Sequence, residues 1–401
     1  MNTIFIFIII GLLSLFLFLK LFIKWKFPFW SLQPVFHIYD FKYYFFPIGI
    51  IQHSLPIKNK FTNFNNIETI DYSKLTPWKI SKFLQFIQLH FLNNKENGNI
   101  FNPKKENILP YFQGHNHLCF FTSYYQEENI IDIKTNSIGK LDKLYSVMTA
   151  RPLNVKINNG NKNAIFSVYY IDYLCVDKGK RNKGIAPQMI QTHEYNQRHI
   201  NKSISISLFK REGKLTGIVP LVVYSTFGFD ISRWAKPIEL SSEYSLLEIT
   251  GQNIHFLYDF LQEQTSFFNI IIMPEYGNIN ELAKSGNIFI YVILKEGKIQ
   301  CCYFFRKTCT FINRNLEVLS CFGSINNTDN LLFIRGFKNI FWNIAKKYKF
   351  GYCAIEGISH NTIIIGNILM KTKATIISPT AFFFYNFAYP TFKPEKTFII
   401  Y

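Results

Sequence analysis

Residues 170–187 read YIDYLCVDKGKRNKGIAP, Tyr170 to Pro187, and the fold turns on them. An apolar, aromatic and β-branched run from Tyr169 to Val176 has the composition of a strand. It breaks into a basic turn, Lys178 to Lys183, and the residues from Ala186 to Arg198 then read as a helix. Across the junction, Arg181, Asn182, Lys183, Gly184, Ile185 and Ala186 spell R-x-x-G-x-A. Gly184 and Ala186 let a ligand come close to the backbone. The turn's N–H groups and the amino end of the helix together suit an anion such as a pyrophosphate. Lys178, Lys180, Arg181 and Lys183 add positive potential there. Alone, R-x-x-G-x-A also describes an ordinary helix start with solvated charges. The strand before it and the helix after it favour the anion site.

Outward from this point the chain alternates between strands and helices. His117–Ser123, Leu144–Ala150 and Ile165–Val176 are rich in aromatic and β-branched residues and read as strands. Upstream, Thr76 and Pro77 have the chemistry of an N-cap and a first helical residue, opening an apolar-periodic helix. Asn93 to Asn107 is a polar loop. Downstream, a similar succession begins near Leu246. Ile254–Gln264 reads as a helix, and Ile288–Leu294 and Ile299–Phe305 as strands joined at Glu296-Gly297. Leu316–Phe322 follows as a strand, Leu331–Lys347 as a helix and Thr380–Phe387 as a final strand. Three strands and a helix thus occur twice, which predicts two related α/β units divided around Ser232–Ser242, namely 26–235 and 236–401.

Residues Ile4 to Ile23 are apolar on every face, with Lys20 as their single charge. At ~1.5 Å per residue such a run covers the ~30 Å hydrocarbon core of a bilayer. No basic residue precedes it and no A-x-A-like site follows, which favours a transmembrane anchor over residues 1–25 against a cleaved signal. Lys24 and Lys26 follow it, so the positive-inside tendency places the remaining body on the cytosolic side. Ile363–Met370 is too short to make a second span.

The chain has 401 residues, with 44 Lys and Arg against 26 Asp and Glu, a formal net charge of +18. Hydrophobic residues are 48% and aromatic residues 18%, which excludes an intrinsically disordered chain. The charge suits anionic lipid, a phosphorylated cofactor or nucleic acid, but no Lys/Arg tract of nucleic-acid length occurs. Seven Cys with no C-x-x-C pair are too few for a disulfide scaffold and point to a reducing compartment. His115, His117 and Cys119 have strand spacing for a metal, yet a strand with a polar face explains them better.

Three segments together carry a resemblance. Phe29-Trp30-Ser31-Leu32-Gln33-Pro34-Val35 resembles the FWxTQPV signature of the eukaryotic N-myristoyltransferases. YIDYLCVDKGKRNKGIAP resembles that family's strand and turn in the same register. The end, FFFYNFAYPTFKPEKTFIIY, Phe382 to Tyr401, resembles the family's carboxyl terminus. Order and positions near the start, middle and end make the three more specific than any one of them.

The resemblance implies two fused halves of the GNAT type, an α/β fold around one saddle-shaped mixed sheet, preceded here by the transmembrane helix. The amino half would bind myristoyl-CoA as acyl donor, with no prosthetic group, and the carboxyl half would supply most of the peptide site. Phe27, Pro28, Phe29 and Trp30 would touch the CoA. Tyr173 and Leu174 would offer backbone N–H groups to the thioester oxygen at a bulge. Cys175 and Val176 would line the pantetheine path, and Arg181, Asn182, Lys183, Gly184, Ile185 and Ala186 would hold the phosphates. The carboxylate of Tyr401 would be the base for the amino-terminal glycine of a protein substrate.

General chemistry agrees with that division. A thioester needs no enzyme nucleophile, but the acceptor amine must lose a proton and the oxyanion needs donors. An α-carboxylate titrates near ~3.5 and an α-amine near ~7.8, so the transfer is about 6 kcal/mol uphill in water. Burial raises the first and lowers the second. Burying ~12 methylenes at ~0.8 kcal/mol each would contribute about 10 kcal/mol to acyl binding.

The sequence departs from the family in four places. Its acidic run for the peptide is replaced by the net basic FLNNKENGNIFNPKKEN, and the Asn before the aromatic-Leu-Cys-Val is Asp172. Phe227–Trp234 lacks the family's Tyr-Trp-His, and Ile377-Ser378-Pro379 stands for its Gly-Asp-Gly. The expectation is retained CoA handling with altered peptide preference. The alternatives are another GNAT-type acyltransferase and a non-catalytic membrane or virion scaffold that keeps the fold.

Overall fold

The computed structural model describes residues 2–46, 48–92, 98–131, 138–159, 162–213 and 217–401. Residues 93–97 of the expected polar loop lie outside the described residues. The chain opens with α1 (Asn2–Lys26), whose segment Ile4–Lys26 is long and apolar enough to cross a membrane and is not buried against the body. Its last turn meets the body at Gly217, where the Ile23 side chain leaves no room for a Cβ.

The strands of the body are β1 (Ile67–Asp71), β2 (Phe120–Ile131), β3 (Ile138–Asn159), β4 (Lys162–Val176), β5 (Ser207–Glu212), β6 (Val222–Asp230) and β7 (Tyr244–Ile249). They continue with β8 (Ile270–Met273), β9 (Ile288–Lys295), β10 (Lys298–Ile312), β11 (Leu316–Asn326), β12 (Tyr352–Glu356), β13 (Ile376–Tyr385) and β14 (Thr397–Ile399). The longer helices after α1 are α2 (Pro77–His90), α3 (Ile185–Ile200), α4 (Ile254–Glu263), α5 (Tyr276–Lys284), α6 (Asn330–Tyr348) and α7 (Asn361–Leu369). Thr76 caps α2 by accepting from the Lys79 N–H, with Pro77 in the first turn, as its sequence predicts.

Among the described residues one mixed sheet joins 15 strands, in the order β14-β8-β3-β4-β5-β13-β6-β12-β11-β10-β9-β7 along its main path. Off this path β2 pairs with β3, β1 with β2, and the two-residue strand Ile100–Phe101, inside the expected polar loop, with β10. The repeated pattern is visible in it. β2, β3 and β4 run antiparallel, α3 crosses over, and β5 returns parallel to β4. β9, β10 and β11 run antiparallel, α6 crosses over, and β12 returns parallel to β11.

The last strands of the two patterns are exchanged. β6 follows β5 in the chain but pairs with β12 and β13. β13 follows β12 but pairs with β5 and β6. The chain end crosses as well, because β14 runs parallel to β8, which pairs with β3.

Alternation of side chains along each strand feeds two cores on opposite faces. Phe304 packs in one with Phe322 and Phe398, while Phe305 packs in the other under α6. The buried stripe of α6 is Phe333, Phe337, Ile340, Phe341 and Ile344, spaced for one helical face. Truncating one of these rings to Ala would cost about 3–5 kcal/mol. At Gly336 the helix sits directly on Ile293 and Tyr303, so no larger residue fits there.

Candidate active site

The strand of the opening motif is β4, and it is interrupted where the sequence changes from Asp172 to Cys175. Val147 pairs with Cys175 and Thr149 with Asp172, so Met148 alone faces both Tyr173 and Leu174. This is a bulge, and Tyr173 takes φ +49° to make it. The left-handed region is costly for a bulky aromatic residue, and such strain gathers at ligand sites. Neither Tyr173 nor Leu174 has a register partner on β3. Tyr173 N–H donates instead to Asp172 Oδ1 at 2.8 Å. Asp172 Oδ2 in turn lies 3.8 Å from Arg151 Nη2. Arg151 is buried between the rings of Tyr111 and Tyr170, 4.8 and 5.1 Å from their centroids, and its Nε and Nη1 have no hydrogen-bond partner among the described residues.

Two cavities meet at this bulge. The first, of about 270 Å³, is walled by Trp30, Phe91, Met148, Tyr170, Ile171, Tyr173, Leu174 and Phe209. The Trp30 ring stacks on Phe209 at 5.7 Å and 14°. Phe29 is buried edge-on to Trp30 and Phe61, Ser31 Oγ donates to the Pro28 carbonyl, and Phe27 is half-buried. Of these four predicted contacts, Trp30 reaches the cavity and the others hold the turn that carries it. One wall is polar: His193 and Glu194 of α3 also face the cavity. Burial pushes Glu194 up to about 7, against the pull of Arg198. Burial also takes His193 down to about 4, with its ring nitrogens on Thr122 Oγ1 and Gln197 Oε1. Cys175 is buried and its thiol is pushed up to about 12, so it is no nucleophile.

Past Val176 the turn is built largely from its own contacts. Asp177 Oδ1 accepts from Gly179 N–H at 2.8 Å. Arg181 donates from Nε to the Val176 carbonyl and from Nη2 to the His90 carbonyl, so it braces the turn. Lys180 reaches Glu128 at 3.3 Å and lies over the Tyr145 ring. Lys183 is exposed, and Asn182 and Gly184 take φ +63° and +75°. Gly184 caps α3 without a side chain, and a Cβ there would meet nothing within 4 Å. Among the described residues no side chain caps the first-turn amides of α3.

The second cavity, of about 280 Å³, shares Phe91, Tyr170, Asp172, Tyr173 and Lys210 with the first and ends on Tyr401. Strand β14 and the Ile400 N–H bond to the Ile272 carbonyl carry the chain end into the sheet, where Tyr401 is buried. Tyr401 O accepts from Arg306 Nη1 at 3.1 Å, and its phenol donates to Glu356 Oε1 at 2.6 Å. Lys210 also reaches the phenol oxygen. Glu356 completes the cluster, accepting from Lys210 Nζ at 3.0 Å, from Arg306 Nη2 at 3.3 Å and from the Tyr224 phenol. Burial opposes charge on Glu356, but Lys210, Arg306 and the two phenols outweigh it and hold its carboxyl below the usual range. Removing one member of so buried a network costs about 3–5 kcal/mol.

Lys210, Arg306 and Glu356 come from β5, β10 and β12, and the sequence reading missed them. A single charge closing an apolar strand (CAIE) is the signal that could have found Glu356, whereas Arg306 and Lys210 stand beside other charges (FFRK, FKRE) and carry no such signal. The predicted residues Tyr173, Leu174 and Tyr401 are brought to the same pair of cavities.

No family sequence model matches the chain, and no curated protein sequence does. Solved structures do. Saccharomyces cerevisiae N-myristoyltransferase with bound myristoyl-CoA superimposes with a TM-score of 0.71 at 14% identity, over 91% of this chain and 94% of that one. The same yeast enzyme with bound myristoyl-CoA and inhibitors gives 0.70 at 15% identity, over 95% and 94%. The chain therefore has an N-myristoyltransferase-like fold over nearly its whole length, as the three motifs led one to expect.

Proposed function

We propose that this chain is a membrane-anchored N-myristoyltransferase, moving myristate from myristoyl-CoA to the N-terminal glycine amine of protein substrates. The observation that carries the proposal is the meeting of two cavities at a strained bulge, one largely apolar, the other floored by the buried Tyr401. The yeast structures with myristoyl-CoA support the choice of donor.

In this reading the first cavity takes the start of the acyl chain, and the open amides at Gly184–Ala186 with Lys183 take the phosphates. The glycine amine enters through the second cavity. Its nitrogen attacks the thioester carbonyl, a C–N bond forms, and the C–S bond breaks to release CoA thiolate, which takes up a proton. The Tyr401 carboxylate accepts the proton lost by the ammonium, with Arg306 fixing its position. Leu174 N–H serves the oxyanion, and Tyr173 N–H joins it once Asp172 gives it up. The body of residues 26–235 and 236–401 lies on the cytosolic side of the bilayer that α1 crosses.

One observation favours a rival acyl group. His193 and Glu194 make the acyl cavity less apolar than a saturated chain requires. The full chain in neutral detergent, given a glycine-initiated peptide with myristoyl-CoA and acetyl-CoA in competition, separates the readings by the mass of the product. A myristoyl amide is expected. Acetyl transfer in preference overturns the donor, and a peptide that stays unmodified with either thioester overturns the enzyme.

A further inference from the structure

On the face of the sheet away from the acyl site lies a larger groove, of about 530 Å³. The faces are told apart by alternation: Arg306, Ser320 and Glu356 line the second cavity, whereas Phe305, Leu319 and Ile355 pack beneath α6 and α7. The groove runs between α6, the end of α7 and the segment after β6. Its walls are fixed, because Asn339 of α6 donates to the Ile238 carbonyl at 2.8 Å and the Trp234 ring packs 5.4 Å from Phe341.

Its chemistry is one-sided. Arg233, Lys236, Arg335, Lys338 and Lys371 all line it, and no Asp or Glu is among the lining residues. Lys236 is paired with Glu239 at 2.9 Å. Among the described residues the other four have no ion-pair partner. Lys338 is held by the Asn367 side-chain oxygen at 2.8 Å, and partial burial, with Lys371 beside it, lowers its affinity for a proton. Two ammonium groups brought together without a counter-ion raise the free energy of the fold, and an anion between them relieves it. At the apolar base, Trp234 Nε1 is buried with no acceptor among the described residues. At the rim, Ile238 and Leu331 are exposed.

We propose that this groove binds a phosphate-bearing ligand with an apolar body. Lys338, Lys371, Arg335 and Arg233 take the phosphate oxygens, and the indole and the rim residues take the apolar part. The chemistry is common to an anionic phospholipid headgroup and a free phosphate ester, so the test has an arm for each. Acetylation of Lys338 and Lys371 in the full chain is followed by mass spectrometry in zwitterionic nanodiscs, with inorganic pyrophosphate added, and in nanodiscs containing phosphatidic acid. Slowing of both lysines several-fold by pyrophosphate identifies a phosphate site. Slowing by phosphatidic acid alone identifies a lipid headgroup site. Unchanged rates in both arms overturn the proposal. The Lys338→Gln, Lys371→Gln double variant is expected to fold at least as well and to lose ligand-dependent thermal stabilisation; persistence of that stabilisation at full size also overturns it. Neither readout depends on acyl transfer.

Discussion

The two strand–turn–helix patterns share a frame and differ at one helix end. In the first, α3 starts at Gly184, with φ +75°, no capping side chain and open space around it. In the second, α6 starts at Asp329, whose carboxylate accepts from the N–H groups of Leu331 and Leu332 at 2.8 and 2.9 Å. A carboxylate of the protein thus occupies in one repeat the place that the other leaves free. Both helix ends attract negative charge through the same aligned peptide dipoles. On the proposed reading, a single residue and the lysines around it decide whether an external anion can bind, with the fold unchanged.

The largest expected effect sharpens the division of labour between the repeats. The second repeat would act through its chain end and leave its helix end capped. One extra glycine after Tyr401, or deletion of Tyr401, is expected to lower kcat on the order of 10²–10⁴-fold with little change in acyl-CoA affinity. Steady-state kinetics with a glycine-initiated peptide check this, and full activity with the extension removes the terminal base.

Glu194 tests whether α3 carries a polar burden that α6 does not. Its proton is held more tightly in the fold, at about 7, than in the unfolded chain, near 4.5. The unfolded state sheds that proton first, so stability declines as pH rises from 4.5 and levels off above about 7. Glu194→Gln removes the decline, and by linkage the variant gains up to about 3 kcal/mol at pH ~8 and little at pH ~4.5. Denaturant melts at the two pH values measure it; an equal shift at both would mean that Glu194 titrates normally.

Exchange of the caps is the direct attempt to break the comparison. Gly184→Asp places a carboxylate over the open amides of α3 and is expected to weaken CoA binding at least ~10-fold, read by calorimetry. Unchanged affinity would move the phosphate site elsewhere. Asp329→Ala is the smallest effect, about 1 kcal/mol of stability by thermal melting, with CoA affinity untouched.

Local chemistry made the frame legible in the sequence. The basic turn, the Thr76-Pro77 helix start and the Glu296-Gly297 hairpin turn each depend on a few adjacent residues, and each stands where it was read. Strands β1, β5, β6, β7, β8, β12 and β14 escape the sequence reading, and all of them but β6 are too short, at six residues or fewer, to show a clear alternation. The cluster of Lys210, Arg306 and Glu356 escaped for another reason. Its members are neighbours only through the pairing of β5, β13, β6, β12, β11 and β10, and no periodicity within one strand encodes that order. The capture of Tyr173 N–H by Asp172 depends on a side-chain rotamer at a bulge, although the Asp itself was visible.

The exchange of β6 and β13 also governs how the molecule can assemble. Ser207 pairs with Tyr385 across nearly half the chain's length, so much of the sheet waits on contacts of high sequence separation. Closing such loops costs entropy before any pairing repays it, which makes for slow acquisition of structure. Neither half, synthesised alone, can cover its open strand edges, and such edges recruit other chains. Mixing the two halves as separate polypeptides should therefore yield precipitate more readily than a reconstituted sheet, and the intact chain should melt as a single cooperative body.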